Sequence, residues 1–109
     1  MGSTLAPELL QLGQGHWNAE TGHLSWQIPL DDDQLLAVVP KLALALDAQL
    51  GQHQWGADRH QWQLRFEGTE LLLQFESLCD SLWIQAQSPA DADVAAYLAQ
   101  LWKGYDCGQ

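Results

Sequence analysis

The stretch that decides the fold is QWQLRFEGTELLLQF, residues 61–75. Before Gly68, apolar and polar side chains alternate one by one, and after it apolar side chains recur at every second position, which is the period-two pattern of a half-buried strand. Gly68 and Thr69 interrupt the alternation and are typical of a tight turn. The stretch therefore predicts a β-hairpin with one apolar face. The apolar positions are Trp62, Leu64 and Phe66 before the turn and Leu71, Leu73 and Phe75 after it.

The same alternation predicts three more strands. Residues 24–28 alternate until Pro29 stops the run, because proline removes a donor from the ladder of a sheet. Residues 82–86 form a further run, with Leu82 and Ile84 on one face. An early strand within residues 9–17 is expected to pair with residues 23–28 across the turn-forming residues 18–22.

A first helix is predicted to follow the acidic residues 31–33, which can cap a helix and complement the positive end of its dipole. Gly51 would end this helix. Pro40 lies inside the pattern, so it either kinks the helix or begins a second segment. Because the apolar residues of this helix extend around most of its circumference, the helix is expected to be deeply buried. Its main stripe is Leu35, Val38, Val39, Leu42, Ala45, Leu46 and Gln49, broadened by Leu36, Ala43, Leu44 and Leu50.

A second helix is predicted to start at Ser88, with Pro89 in its first position and Asp91 placed to complete a capping box. Lys103 and Gly104 supply a cation and a permissive backbone at its end. Its apolar face is expected to comprise Val94, Tyr97, Leu98, Leu101 and Trp102.

Together these elements predict the order β-β-α-β-β-β-α in a single domain, residues 1–109. The fold class is α+β: an antiparallel sheet of about five strands with both helices on one face, a two-layer sandwich.

The chain is strongly acidic, with 14 Asp and Glu against 4 Lys and Arg and a formal net charge of −10. Nucleic acids and anionic membrane surfaces are therefore not expected as partners, since both are bound through clustered cations. Residues 1–6 lack the basic and apolar regions of a signal peptide. Cys79 and Cys107 are expected to be reduced thiols, and the protein to be cytoplasmic.

No motif predicts a catalytic residue or a cofactor. His16, His23, His53 and His60 are candidates for a metal site, to which Asp58 could add an oxygen ligand, but their spacing of seven within each pair is unlike that of structural zinc sites. Exposed histidines are the simpler interpretation, so no metal is predicted.

Six tryptophans leave the most room for function. Trp26, Trp62 and Trp102 fall on apolar faces and are predicted core residues. Trp83 points away from Leu82 and Ile84 if these face the helices, because neighbouring strand residues point to opposite faces. The predicted partner-binding residues are Trp83, Gln85, Trp55 and Trp17.

Residues 75–102, which begin Phe-Glu-Ser-Leu-Cys-Asp-Ser-Leu-Trp-Ile and run through the second helix, resemble a family of short bacterial proteins known only as a domain of unknown function. The resemblance implies a small cytoplasmic bacterial protein and implies no activity.

Three classes of function remain open. The leading hypothesis is a non-enzymatic protein-interaction or adaptor module, bound to a protein partner or to a second copy in a homodimer, with Trp83 as its anchor. The alternative is a small-molecule or sugar-binding domain that uses Trp17, Trp55 and nearby His and Gln side chains. An enzyme comes third, since no nucleophile, base and orienting group can be assembled from the sequence.

Overall fold

The computed structural model describes residues 7–105, with the side chains of residues 9–104. None of its helices is long and apolar enough to cross a membrane. The helices are α1 (Pro7–Leu10), α2 (Asp32–Ala45) and α3 (Ala92–Tyr105), with a 3-10 turn at Pro89–Asp91 before α3. The strands are β1 (His16–Asn18), β2 (His23–Gln27), β3 (Gln49–Trp55), β4 (Arg59–Phe66), β5 (Thr69–Glu76) and β6 (Ser81–Ala86).

All six strands form one antiparallel sheet in the order β1-β2-β6-β5-β4-β3. The α+β class is confirmed, but the sheet has six strands rather than five. The strand that the sequence did not reveal is β3, which contains Gly51, the residue that was expected to end the first helix. A bulge between Leu50 and His53 breaks the alternation of β3, and most of its side chains are exposed, so no period-two signal exists there.

The central hairpin forms as predicted, but its turn lies one residue earlier than expected, because Thr69 already belongs to β5. Strands β4 and β5 are joined by Glu67 and Gly68, whose φ angles are 49° and 85°. Positive φ at both positions is the type I′ geometry, whose twist matches that of the paired strands. Strands β1 and β2 also pair as expected, although β1 begins only at His16 and the residues before it form the short helix α1.

Helix α2 begins with a reciprocal capping box. The Asp31 side chain accepts from the Gln34 backbone N–H at 2.8 Å, and the Gln34 side chain accepts from the Asp31 N–H at 2.9 Å. The helix continues past Pro40 without a break, so Pro40 does not begin a second segment. Deep burial was wrong for one side of this helix, because Leu36 is 49% exposed and Leu44 is 79% exposed.

Helix α3 follows the 3-10 turn, and Ser88 is the N-cap of that turn, but its hydroxyl accepts from no backbone N–H, so the predicted capping box does not form. Instead the Ser88 hydroxyl donates to the Asp91 carboxylate at 3.2 Å. The buried face of α3 consists of Ala95, Leu98 and Trp102. Tyr97 was expected on this face, but it is 51% exposed and packs its ring against Phe66 at the margin of the core.

One hydrophobic core joins the helices to one face of the sheet. Trp26, Trp62 and Trp102 are all buried in it, as predicted. The rings of Trp26 and Trp102 meet edge to face, with centroids 5.4 Å apart and planes at 83°. The other face of the sheet, hereafter the open face, carries mainly polar side chains together with Leu72 and Trp83, and all of them are exposed or half-buried apart from Gln74.

Candidate functional site

The centre of the open face carries a small hydrogen-bonded group of side chains. Strands β6 and β5 are the two middle strands, and they bring Trp83 directly opposite Gln74. The Oε1 atom of Gln85 accepts from the Trp83 indole N–H and from the Gln74 amide, both at 2.7 Å. These bonds hold the half-buried indole in one orientation and satisfy the amide of Gln74, which is only 7% exposed.

Trp83 lies on the face that alternation predicted for it. Leu82 and Ile84 are fully buried in the core, so the intervening side chain points the other way. The imidazole of His23 lies 6.3 Å from the Trp83 ring at an angle of 25°. Partial cover from such neighbours leaves the ring half-buried rather than fully exposed. Its role in binding a partner stays a prediction.

Charges on the open face are balanced. Arg59 pairs with Glu76 at 3.3 Å, and the Nε atom of Arg65 donates to Glu70 at 2.9 Å, both pairs joining β4 to β5. Because the strand positions of this face hold no other Asp, Glu, Lys or Arg, the formal net charge of −10 comes from residues elsewhere in the chain. The acidic surplus therefore does not come from the strand positions around Trp83. The strand positions of the open face are residues 16, 18, 23, 25, 27, 49, 54, 59, 61, 63, 65, 70, 72, 74, 76, 81, 83 and 85.

A histidine–tryptophan cluster (His53, Trp55, His60 and Trp62) lies on β3, which is one edge strand of the sheet, and on its neighbour β4. The register places its members on the side that faces the helices. His53 stacks on Trp62, with centroids 4.1 Å apart and planes at 8°. The ring centroid of Trp55 lies 4.8 Å from that of His53, and Trp55 is 70% exposed.

The two histidines of this cluster share a hydrogen bond of 3.0 Å between Nε2 of His53 and Nδ1 of His60. Nε2 of His60 lies 3.3 Å from a carboxylate oxygen of Asp32 at the start of α2. Since the carboxylate accepts from Nε2 of His60, the other nitrogen of a neutral His60 is left to accept from His53. Burial, and then the charge of nearby His60, lower the pKa of His53 below its ordinary 6.5.

The four histidines do not converge. His16 and His23 lie on the open face at β1 and β2, whereas His53 and His60 lie on the helix side at β3 and β4. Within residues 7–105, no group of three or more His, Cys, Asp or Glu side chains is placed to hold a metal ion. The His53–His60 contact is therefore best described as a hydrogen-bonded pair.

Trp17 and Trp55 are also separated. Trp17 is half-buried against the core at β1, beside a groove of about 350 Å³ lined by Ala96, Ala99 and Lys103 of α3. Trp55 belongs to β3, at the opposite edge. Five inter-strand steps of about 4.8 Å put the two edges about 24 Å apart, so the two rings do not form a single site.

Of the cysteines, Cys79 is exposed in the connection between β5 and β6. Cys107 lies outside the described residues.

One apolar surface, on helix α2, was not expected from the sequence. Leu36, Pro40 and Leu44 lie at i, i+4 and i+8 on the solvent side of α2 and are all exposed; we name them the α2 stripe. Their signal was present in the sequence, since α2 is apolar all round, but that pattern was interpreted as burial rather than as an uncovered surface.

The fold and these surfaces define an α+β domain with an uncovered antiparallel sheet. The chain belongs to the family described as protein of unknown function (DUF3630), whose profile matches residues 12–103. This match confirms the predicted membership in a family of unknown function and extends well beyond residues 75–102. Neither the curated proteins nor the solved structures contain a match.

Proposed function

We propose that this protein is a non-enzymatic interaction module that uses the open face of its sheet as a docking surface, and that the occupant is a second copy of the chain. The observation that carries the proposal is the position of Trp83 and Gln74 at the centre of a face with balanced charge.

The central position of Trp83 suits a symmetric contact. A two-fold axis through the middle of the open face would bring the Trp83 and Gln74 side chains of both copies together, because β6 and β5 are the middle strands. Tryptophan near the centre of an interface is where binding energy concentrates. The hydrogen bond to Gln85 already holds the Trp83 indole in one orientation in the monomer, which lowers the side-chain entropy lost on association.

The charge distribution supports a second copy over a basic protein at this face. Two molecules with a net charge of −10 repel each other over most approaches. The strand positions of the open face add nothing to this repulsion, because their two arginines are matched by Glu70 and Glu76. A basic partner would find no excess of carboxylates there.

The edges of the sheet are less suited to association. Strand β1 has only three residues, and β3 is interrupted by its bulge. The face, by contrast, spans six strands, about 29 Å at about 4.8 Å per strand, and is roughly 20 Å long. Two such faces bury on the order of 1,200 Å², at the lower limit of specific interfaces, so a dimer of modest affinity is expected.

Light scattering during size-exclusion chromatography, over a range of concentrations, tests this proposal. We expect self-association that strengthens with added salt, because screening weakens the repulsion between the acidic bodies. Trp83→Ser should weaken it by at least about 30-fold while changing the free energy of unfolding of the monomer by about 1 kcal/mol.

Trp55→Ser is the matched control, since it removes the same ring from the histidine–tryptophan cluster and should leave association intact. A wild-type protein that stays monomeric at every concentration contradicts the second copy as occupant. A Trp83→Ser monomer that unfolds readily would instead make Trp83 a structural residue.

A second candidate function is the binding of a small neutral ligand, such as a sugar, at Trp55. Its exposed ring is supported by His53, which places a flat apolar surface beside hydrogen-bonding nitrogens. Titration of simple saccharides against intrinsic tryptophan fluorescence tests this candidate. Saturable quenching that Trp55→Ser removes and Trp17→Ser preserves would support it, whereas no response, or an equal response in both variants, would exclude it.

A further inference from the structure

The solvent side of α2 is apolar over two turns. Leu36 and Leu44 are 49% and 79% exposed, and Pro40 between them is exposed as well. Leu35, Val38, Val39 and Leu42 on the other side of the helix already supply its contact with the core. The α2 stripe is therefore not needed for packing within the described residues, and it leaves large apolar side chains in water.

Carboxylates border the α2 stripe at both ends. Asp32 and Asp33 occupy the first turn of α2, and Asp47 follows its last turn; all three are exposed. The helix itself contains one basic residue, Lys41. A partner that binds the α2 stripe thus meets an apolar centre with negative charge at each end.

This arrangement of charges disfavours a second copy of the chain as the occupant of the α2 stripe. Two α2 stripes packed against each other, in either direction, would bring the aspartates of one molecule close to those of the other. A partner with the opposite charge gains from the same aspartates, through attraction at a distance and through ion pairs at the rim. The net charge of −10 acts in the same direction.

We propose that the α2 stripe binds a basic amphipathic helix of a partner protein, with apolar side chains over Leu36 and Leu44 and cations at both ends. From Asp33 to Ala45, where α2 ends, the helix rise is about 18 Å at about 1.5 Å per residue, and Asp47 follows two residues later. A helical partner would therefore carry its two groups of Lys or Arg at least about 12 residues apart. This surface lies on the side of the molecule opposite the open face, so the inference is independent of the proposed function.

The test uses the full chain and a fluorescein-labelled synthetic peptide of leucine and lysine, designed to form a helix with one apolar face and basic ends. The control peptide carries glutamate in place of every lysine. We expect the basic peptide to bind in a fluorescence anisotropy titration, with affinity that falls at least about tenfold when salt is raised to several tenths molar. The acidic peptide should not bind.

Variants of the full chain separate the α2 stripe from general attraction to an acidic protein. The double variant Leu36→Gln, Leu44→Gln should lower peptide affinity at least about tenfold without changing the melting temperature, because both side chains are exposed. Leu78→Gln is the matched control, since Leu78 is 76% exposed in the connection between β5 and β6 and should not affect binding. Asp33→Asn with Asp47→Asn should reduce both the affinity and its dependence on salt.

Three results would overturn the inference. Equal affinity of the wild type and the double leucine variant would mean that charge alone attracts the peptide. Equal loss in Leu78→Gln would mean that the apolar contact is not specific to α2. Loss of self-association in the double leucine variant, measured by light scattering, would identify a second copy as the occupant of the stripe.

Discussion

The indole N–H of Trp102 donates to the backbone carbonyl of Gly13 at 2.8 Å, across 89 positions of sequence. This bond ties the end of α3 to the loop that leads into β1. The same loop passes over the second core tryptophan, because Gly15 lies against the indole nitrogen of Trp26. Two tryptophans that pack edge to face thus hold one glycine-containing loop.

Gly15→Ala should destabilise the protein more than Gly13→Ala. Both glycines have positive φ, 77° and 71°, so both variants incur backbone strain of about 1–2 kcal/mol. Only at residue 15 would the new Cβ also lie 2.7 Å from Trp26 Nε1, whereas at residue 13 it meets nothing within 4 Å. We expect a total loss of about 3 kcal/mol for Gly15→Ala, measured by urea unfolding. Equal losses in the two variants would show that the contact with Trp26 relaxes freely.

Leu98→Ala should lower the free energy of unfolding by about 3 kcal/mol, because Leu98 is fully buried and its truncation leaves a cavity between α3 and the sheet. Trp102→Ala should cost at least as much, since it also removes the bond to Gly13. Tyr97→Ala serves as the control on the same helix and should cost about 1 kcal/mol or less. If all three variants unfold at the wild-type urea concentration, α3 does not pack as described.

Stability should fall as the pH drops below about 6.5. The folded-state pKa of His53 lies below its ordinary 6.5, so the unfolded chain binds this proton more readily than the folded protein does. The contribution of His53 is therefore fully present above pH 6.5 and is lost as the pH falls through the lower folded-state pKa. Urea unfolding of wild type and His53→Gln between pH 5 and 8 measures the difference.

In His53→Gln this part of the pH dependence should disappear, whereas His23→Gln, on the open face, should retain it. A wild-type stability that is flat between pH 5 and 7, or that rises as the pH falls, would contradict the assignment to His53.

Removal of metal should leave the melting temperature unchanged. His53 and His60 lie on the helix side of the sheet and His16 and His23 on the open face, and among residues 7–105 no group of three or more His, Cys, Asp or Glu side chains could hold an ion. Dialysis against a chelator followed by thermal unfolding measures this. Because a bound ion would stabilise the fold by mass action, a loss of several degrees would instead place a metal at His53 and His60.

The sequence was most informative where one side of an element is buried and the other is solvated. The β4–β5 hairpin, β2, β6 and the buried residues Leu98 and Trp102 all follow from periodicity, because burial imposes a strict spacing on apolar residues. Tyr97 is the exception to this prediction of burial, because Tyr97 lies at the margin of the core, where a half-exposed aromatic ring is also stable.

Strand β3 and the outer side of α2 show where periodicity is insufficient. An edge strand has few buried side chains, and a bulge shifts its phase, so β3 gave no alternating pattern. Residues 35–46 are apolar on every side, and such a pattern does not reveal which side meets the sheet. Only the packed structure places Leu35 and Val38 inside and Leu44 outside.

For the candidate sites, alternation alone determined that Trp83 points away from the core, since it depends on no contact beyond the strand itself. Composition alone determined the acidic charge. The tertiary structure decided what surrounds these features, because strand order and register bring together residues that are distant in the chain. It joined Gln74 and Trp83 to Gln85, paired His53 with His60, separated Trp17 from Trp55, and matched Arg59 with Glu76 on the open face.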